Sequence, residues 1–323
     1  METNLPTLEV DETSDKPPSK GKQKLRIPKF NLAVLCQPLI KPTPSSLVTI
    51  RHFAKIVSDV GISVHQINQN EIDKLNQYDG LWIRQTTSIT NRTFDFAVRA
   101  NTLKIPCIDD YKSILICCNK IPQMTMLADA GIGTPLTLLI SAENSLEAFR
   151  VLDKVKLPLV VKIPDGAFGC GMYKVNSVEE LGRATTELFR QSQTLLVQPF
   201  LQSKFDWRVG VLGREPLFVC EYHFARGHWQ IIKHYPDGKQ REGAHYTKAL
   251  EQTPVEVLDL AVDAVKALGG EGLYGVDIKE TSDGLVVMEV NDNPNLEHGI
   301  EDQIGKDHIW LKLAQWFLDR KVK

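Results

Sequence analysis

From Phe30 onward, short apolar runs alternate with stretches whose apolar residues recur at helical spacing, the mark of strands alternating with helices. FNLAVLC at residues 30–36 predicts a strand. Leu47, Ile50, Phe53, Ala54 and Val57 fall on one face of a helix over residues 47–60, which Gly61 then caps. Strands are predicted at 62–67, 79–84 and 105–108, with a helix over 93–103. Such alternation builds a parallel sheet, here a small doubly wound domain ending near Asp110.

The middle of the chain starts with a helix over 120–130, ended by Gly131, and a strand at 135–139. A helix over 145–155 and an apolar strand over 157–163 follow. The loop PDGAFGCG (164–171) leads into a short strand at 172–175, a helix over 178–191 and a strand at 194–198. Strands at 206–212 and 217–222 open the last third, and a loop-rich basic region runs to about Thr253. Leu258, Ala261, Val262, Val265 and Leu268 mark an amphipathic helix over 254–268. Strands at 273–279 and 285–291 and a helix over 307–321 complete the pattern, without internal repeats. Residues 1–28 are rich in Pro, Ser, Thr and charge. They cannot bury enough surface to offset their ordering entropy, so a disordered tail is expected there.

Composition narrows the function classes. The 323 residues suggest about two domains. Lys plus Arg is 38 against 40 Asp plus Glu, a net charge of -2, which gives no electrostatic footprint for nucleic acid. No apolar run reaches the roughly 18 residues of a membrane span. No charged-then-apolar leader opens the chain. Cys36, Cys107, Cys117, Cys118, Cys170 and Cys220 form no CxxC pair and have no His at zinc spacing, so free thiols and a cytoplasmic protein are expected.

Three segments carry chemistry. GVDIKETSDGLVVMEVND, residues 275–292, reads as a hairpin turning at Ser282, Asp283 and Gly284. Glu289 and Asn291 are two apart and share a sheet face, and Asp277 can lie across from them. Two carboxylates and an amide oxygen form a hard oxygen cage suited to magnesium. The alternative is a solvated sheet face, but a lone Glu within Val-Val-Met-Glu-Val is costly unless paired or metal-bound. Next, the strand ending in Lys162 leads to a loop with Gly166, Gly169 and Gly171, whose backbone amides can approach phosphates. No Gly-Lys-Ser/Thr follows, and a strand rather than a helix comes next. That excludes a Walker A loop and a dinucleotide fingerprint, and leaves a flap over a triphosphate or a plain hairpin loop. Third, the apolar linker Gln198, Pro199, Phe200 and Leu201 suits an adenine edge, Asp206 ribose hydroxyls, and Arg208 a phosphate; a surface Asp–Arg pair is the bland alternative.

These pieces, in this order, resemble the ATP-grasp superfamily, specifically its RimK-type ligases, and are similar to glutathione synthetase and D-alanine–D-alanine ligase. The likeness runs from Phe30 to the C-terminus and is strongest from Lys120. Its signature is Gly-Leu-Tyr-Gly-Val-Asp-Ile at 272–278, Met-Glu-Val-Asn-Asp-Asn-Pro-Asn at 288–295, then Glu301 and Asp302.

The resemblance implies an α/β (α+β) ATP-grasp fold: a doubly wound pre-ATP-grasp domain at 29–112, a central subdomain with the phosphate flap at 113–203, and a C-terminal subdomain with the magnesium site at 204–323. It implies that Lys120 and Lys162 bind the nucleotide, Gly166 to Gly171 form the flap, Gln198 to Leu201 the adenine hinge, and Asp206 the ribose acid. Asp277, Glu289 and Asn291 would hold one or two Mg2+ ions, or Mn2+. Arg208, Arg226 and Lys233 would be the catalytic cations. Two departures stand out: Pro199 replaces a common glutamate and has no N–H, and Gln230 stands where relatives carry an arginine.

The implied reaction is carboxylate–amine ligation through an acyl-phosphate, with ATP, a carboxylate and an amine as partners. It needs no protein nucleophile, so Cys170 is read as a modifiable thiol only. The basic stretch 233–248 either grips an acidic substrate, such as glutamate or a glutamyl peptide, or is a solvated loop. Alternatives are another ATP-grasp reaction, a catalytically degenerate ATP-binding or regulatory module, and an RNA surface at 84–99 and 233–248, which the near-neutral charge disfavours. Relatives of this type are commonly dimers or tetramers, which leaves a homo-oligomer open.

Overall fold

The computed structural model describes residues 30–36, 43–144, 147–235 and 237–321; the tail expected at 1–28 lies outside them. The first unit comprises β1 (Phe30–Leu35), α1 (Leu47–Ser58), β2 (Ile62–Ile67), β3 (Gly80–Ile83), α2 (Arg92–Leu103), β4 (Cys107–Ile108) and α3 (Tyr111–Cys117). Its strands pair in parallel in the order β2-β1-β3-β4. Both faces of such a sheet are covered, which explains the near-continuous apolar runs. Phe30, Leu32 and Val34 face one core and Ala33 and Leu35 the other, as a period of two requires. Ser46 caps α1 by accepting the Thr49 amide. The seven-residue α3 is too short to show a helical period and is not among the predicted elements; Asp110 caps it, accepting the Lys112 and Ser113 amides.

The second unit holds α4 (Lys120–Asp129), β5 (Leu138–Ser141), α5 (Glu147–Arg150), β6 (Leu159–Lys162), β7 (Met172–Val175), α6 (Val178–Leu188) and β8 (Thr194–Pro199). Its sheet is antiparallel, in the order β5-β8-β6-β7. Leu181, Ala184 and Leu188 of α6 pack on Leu159, Val161, Leu195 and Val197. The strand expected at 135–139 starts three residues later. The single helix expected over 145–155 is broken: α5 gives way to a 3-10 turn at Val151–Asp153, which carries Val151 and Val155 into the core.

The third unit contains β9 (Asp206–Leu212), β10 (Glu215–Tyr222), β11 (Ile232–His234), β12 (Gln240–Glu242), β13 (His245–Lys248), α7 (Val255–Ala267), β14 (Leu273–Thr281), β15 (Gly284–Asn291) and α8 (Asp307–Asp319). Its sheet runs β13-β10-β9-β14-β15, while β11 and β12 form a separate hairpin. The region expected to be loop up to Thr253 therefore holds three strands. They are short and polar, and lack the alternation that reveals a half-buried strand. One face of the sheet packs on α7 and α4 through Val209, Val211, Val276 and Val290. At one end, Phe218 and Leu273 join Trp310, Leu313 and Phe317 of α8 in the core that also holds Phe30 and Leu32 of β1. The first and third units thus share one core.

Phe317 stands at that junction, fully buried against Phe30. The Phe317→Ala variant is expected to lose about 3–5 kcal/mol of stability, read as a lowered denaturant midpoint in chemical unfolding.

Candidate active site

A cleft opens between the central sheet and the face of the C-terminal sheet turned away from α7. Its floor is built by register. Asp277 of β14 lies opposite Arg208 of β9 and opposite Glu289 of β15, and Gly275 lies opposite Asn291. The pairing of β14 with β15 slips between Asp277 and Ile278, leaving Met288 as an extra residue. This bulge lets Met288 and Glu289 both line the cleft while Val287 and Val290 stay in the α7 core. Gly275 is required beside it, because a Cβ there would meet Pro294 at 2.7 Å.

Among the described residues that line the cleft, every cation but one is paired. Arg208 Nε and Nη2 donate to the two carboxylate oxygens of Asp277, each at 2.7 Å. Burial works against the Arg208 charge, but Asp277 outweighs it and lifts the guanidinium above its ordinary pKa. Lys120, the first residue of α4, is 3% exposed; its ammonium donates to Glu289 Oε1 at 2.9 Å and to the Gly166 carbonyl at 2.6 Å. Burial opposes ionisation of Glu289, yet Lys120 and Lys162 prevail and hold its pKa below the usual range. Lys279 reaches Asp206 at 2.5 Å, and Ser203 bonds the same oxygen at 2.9 Å; burial raises the Asp206 pKa while Lys279 works the other way.

Lys162 is the exception. It ends β6 at 6% exposure and lines the cleft, and among the described residues nothing hydrogen-bonds or ion-pairs its ammonium. Burial, then the nearby charge of Lys120, depress its pKa to about 8. A buried cation facing an open cleft beside a second lysine is a seat for an anion.

The flap Gly166 to Gly171 closes over this end. Phe168, Gly169 and Gly171 all have positive φ, which glycine tolerates without strain. Gln230 Nε2 donates to the Gly169 carbonyl at 2.8 Å and His234 Nε2 to the Phe168 carbonyl at 2.9 Å. Gly166 and Gly169 line the cleft. Gly171 lies behind it, where a Cβ would strike Ile163. At the far end Gln198, Pro199, Phe200 and Leu201 line the wall. Gln198 is locked by Thr137 at 2.8 Å, and the Phe200 ring lies under Lys174 and edge-on to Trp229.

Of the cations expected to act on phosphate, Arg208 lines the cleft. Arg226 and Lys233 are not among its lining residues. Arg226 is exposed in a turn closed by the His228 amide bonding the Ala225 carbonyl, and the Lys233 ammonium sits over the Tyr235 ring. The β11–β12 hairpin instead turns Ile232 and Glu242 to the cleft. The sequence reading also passed over Lys279, Met288, Phe224, Trp229 and Asn293. Lys279 was open to detection, since it follows Asp277 by two on the same strand. Asn293 was not: its amide is held across the fold by Arg84 Nη1 at 2.7 Å and the Gln85 carbonyl at 2.5 Å.

Two β-sheets clasping a cleft with a lysine-rich, glycine-flapped end define the ATP-grasp fold, the class of ATP-dependent carboxylate–amine ligases. The chain belongs to the family described as D-ala D-ala ligase C-terminus, which matches residues 126–298, more than half its length. It is similar to a protein named probable alpha-L-glutamate ligase from Vibrio atlanticus, 28% identical over 241 residues, spanning 73% of this chain and 75% of that one. A protein of the same name from Shewanella loihica is 28% identical over 255 residues, 77% and 79% of the two chains. Among solved structures, D-alanine–D-alanine ligase from Bacillus anthracis has a similar fold, with a TM-score of 0.71 at 18% identity over 90% of this chain and 97% of that one. So does a RimK domain ATP-grasp protein from Sphaerobacter thermophilus, at 0.65 and 17% over 89% and 99%.

The Lys162 charge is held against burial, so Lys162→Met is expected to leave the unliganded protein at least as stable as wild type while weakening ATP at least about tenfold. The sign with pH follows from the depressed pKa: the unfolded chain keeps the proton to higher pH than the folded one, so wild-type stability rises between about pH 8 and the ordinary lysine value. The stability advantage of Lys162→Met should therefore be largest below pH 8 and fade as pH rises toward the ordinary lysine pKa, measured by denaturant midpoints across that range.

Proposed function

We propose that this chain is a magnesium-dependent ligase that activates a carboxylate with ATP and joins it to an amine, with glutamate or a glutamyl peptide as the substrate class. The observation that carries the reading is the unpartnered Lys162 ammonium, with Lys120 beside it, at the flap end of the cleft. The phosphates lie there, under the backbone amides of the flap. Adenine rests along the Gln198 to Leu201 wall, where Pro199 offers no N–H and the neighbouring backbone groups serve instead. Asp206, oriented by Lys279 and Ser203, takes the ribose hydroxyls.

Asp277, Glu289 and Asn291 offer oxygens from one sheet face, a donor set that fits Mg2+. Bound there, the ion would shield the charge of the phosphates. Arg208 is aimed by its bidentate bond to Asp277, and its Nη1, without a hydrogen bond among the described residues, faces the charge spreading over the transferred phosphoryl group. An oxygen of the substrate carboxylate attacks the γ-phosphorus, and the bond to ADP breaks. The acyl-phosphate stays under the closed flap, away from water. The amine then attacks the acyl carbon, phosphate leaves with the bonding pair, and the amine gives up a proton. We assign the charge-neutralising role to Arg208 and leave Arg226 and Lys233 on the rim.

The names of the relatives from Vibrio atlanticus and Shewanella loihica support glutamate as substrate. Among the described residues no helix is long and apolar enough to cross a membrane, in keeping with the cytoplasmic setting we propose.

The test is ADP release from purified protein with ATP and Mg2+, against glutamate and pools of amino acids and peptides, with mass spectrometry of the products. The expected product weighs the acid plus the amine minus water. Asp277→Asn, which loses a metal oxygen and half the Arg208 fork, is expected to lower turnover about a hundredfold or more. Near wild-type turnover in that variant would overturn the metal assignment, and a phosphorylated acid without amide would overturn ligation.

A further inference from the structure

A second group of metal-ligating side chains lies where α1 meets the start of α8, on residues that the ligase reading does not use. His52 comes from α1, His298 and Asp302 from the segment between β15 and α8, and Asp307 is the first residue of α8. One donor atom from each of His52, His298 and Asp302 lies within 4.8 Å of the others. Two features set this group apart from an ordinary polar surface.

The first is an orphan. His52 Nε2 is shielded from solvent and has no hydrogen-bond partner among the described residues. The Asp307 carboxylate stands 3.9 Å away, beyond hydrogen-bond reach. A buried polar atom left without a partner calls for a ligand. The second is preorganisation. Asp302 is only 3% exposed, and both its oxygens are fixed: Oδ1 by the Gly299 amide at 2.6 Å, Oδ2 by Trp310 Nε1 at 2.8 Å. The same Oδ2 accepts from His298 Nδ1 at 2.7 Å. The His52 and His298 rings are stacked, 3.5 Å between centroids and 17° apart in plane.

We propose that His52, His298 and Asp302 form a binding site for a divalent transition metal of the zinc class, which ties α1 to α8. The imidazoles supply two nitrogens and Asp302 a carboxylate oxygen, while Asp307 and water fill the remaining positions. Nitrogen donors select zinc-class ions over magnesium, which prefers oxygen, so this site is chemically distinct from the Asp277, Glu289 and Asn291 face. The cation takes the place between His298 Nδ1 and Asp302 that a shared hydrogen bond now fills, and the neutral ring keeps its single proton on Nε2. Stacked rings have parallel lone-pair planes, so one ring must turn about its Cβ–Cγ bond; the His298 side chain, 43% exposed, has room to do so.

The experiment uses the full chain, stripped with a chelator and held in saturating Mg2+ and ADP to mask the oxygen site. Zn2+ is titrated by calorimetry and Co2+ by visible absorption. One equivalent is expected to bind, without a thiolate-to-cobalt charge-transfer band, and to raise Tm with concentration. His52→Gln and His298→Gln should each weaken binding at least about tenfold and remove the Tm shift. Absent binding, equal affinity in wild type and both variants, or a thiolate band would each overturn the site. If His52→Gln does not fold, His298→Gln, on the exposed ring, decides alone. None of these readouts depends on turnover, so ligase activity and metal binding stand or fall separately.

Discussion

The Lys120 ammonium is the contact on which the cleft depends. From the first turn of α4 it reaches the β15 carboxylate of Glu289 and the Gly166 carbonyl of the flap, so one buried cation joins three parts of the chain. Glu289 sits in an apolar strand and would be costly there without it. The arrangement still leaves a surplus of positive charge, because Lys162 lies beside Lys120 and one carboxylate cannot neutralise both. Local stability is given up to hold an anion seat open, a pattern common where a site must bind charge.

The N-terminal unit is part of the same construction. Arg84, at the end of β3 and fully buried, donates to Ser45 Oγ, to the carbonyls of Pro44 and Pro294, and to Asn293 Oδ1. Glu297 closes the joint from the other side, accepting from the Ser46 amide and hydroxyl and from the Thr49 hydroxyl at the start of α1. These bonds fix the segment that follows Asn291, so the parallel sheet helps to aim residues on a different sheet. The shared core of Phe30, Trp310 and Phe317 gives that aim its rigidity.

Much of the fold was legible because periodicity is a local property. The strands of the first sheet, the α7 face and the β14–β15 hairpin all announce themselves by apolar spacing. The shared face of Asp277, Glu289 and Asn291 follows from strand alternation and needs no knowledge of the rest. What escaped had no local period: α3 is too brief, β11 to β13 are too polar, and the bulge at Met288 interrupts the alternation it would be read from.

The sequence by itself therefore determined the order of elements, the oxygen-rich hairpin face and the glycine flap, since each rests on neighbours along the chain. Only the tertiary structure decided which cations meet which carboxylates. Arg208 with Asp277, Lys120 with Glu289 and Lys279 with Asp206 are separated by up to 169 residues and meet through sheet register and packing. The same packing left Lys162 without a partner among the described residues and Arg226 and Lys233 outside the residues that line the cleft. Packing of α1 on the segment after β15 also brought His52 against His298 across 246 residues of chain. Charge pairing is a matter of a few ångströms in space, and spacing along a chain cannot report it.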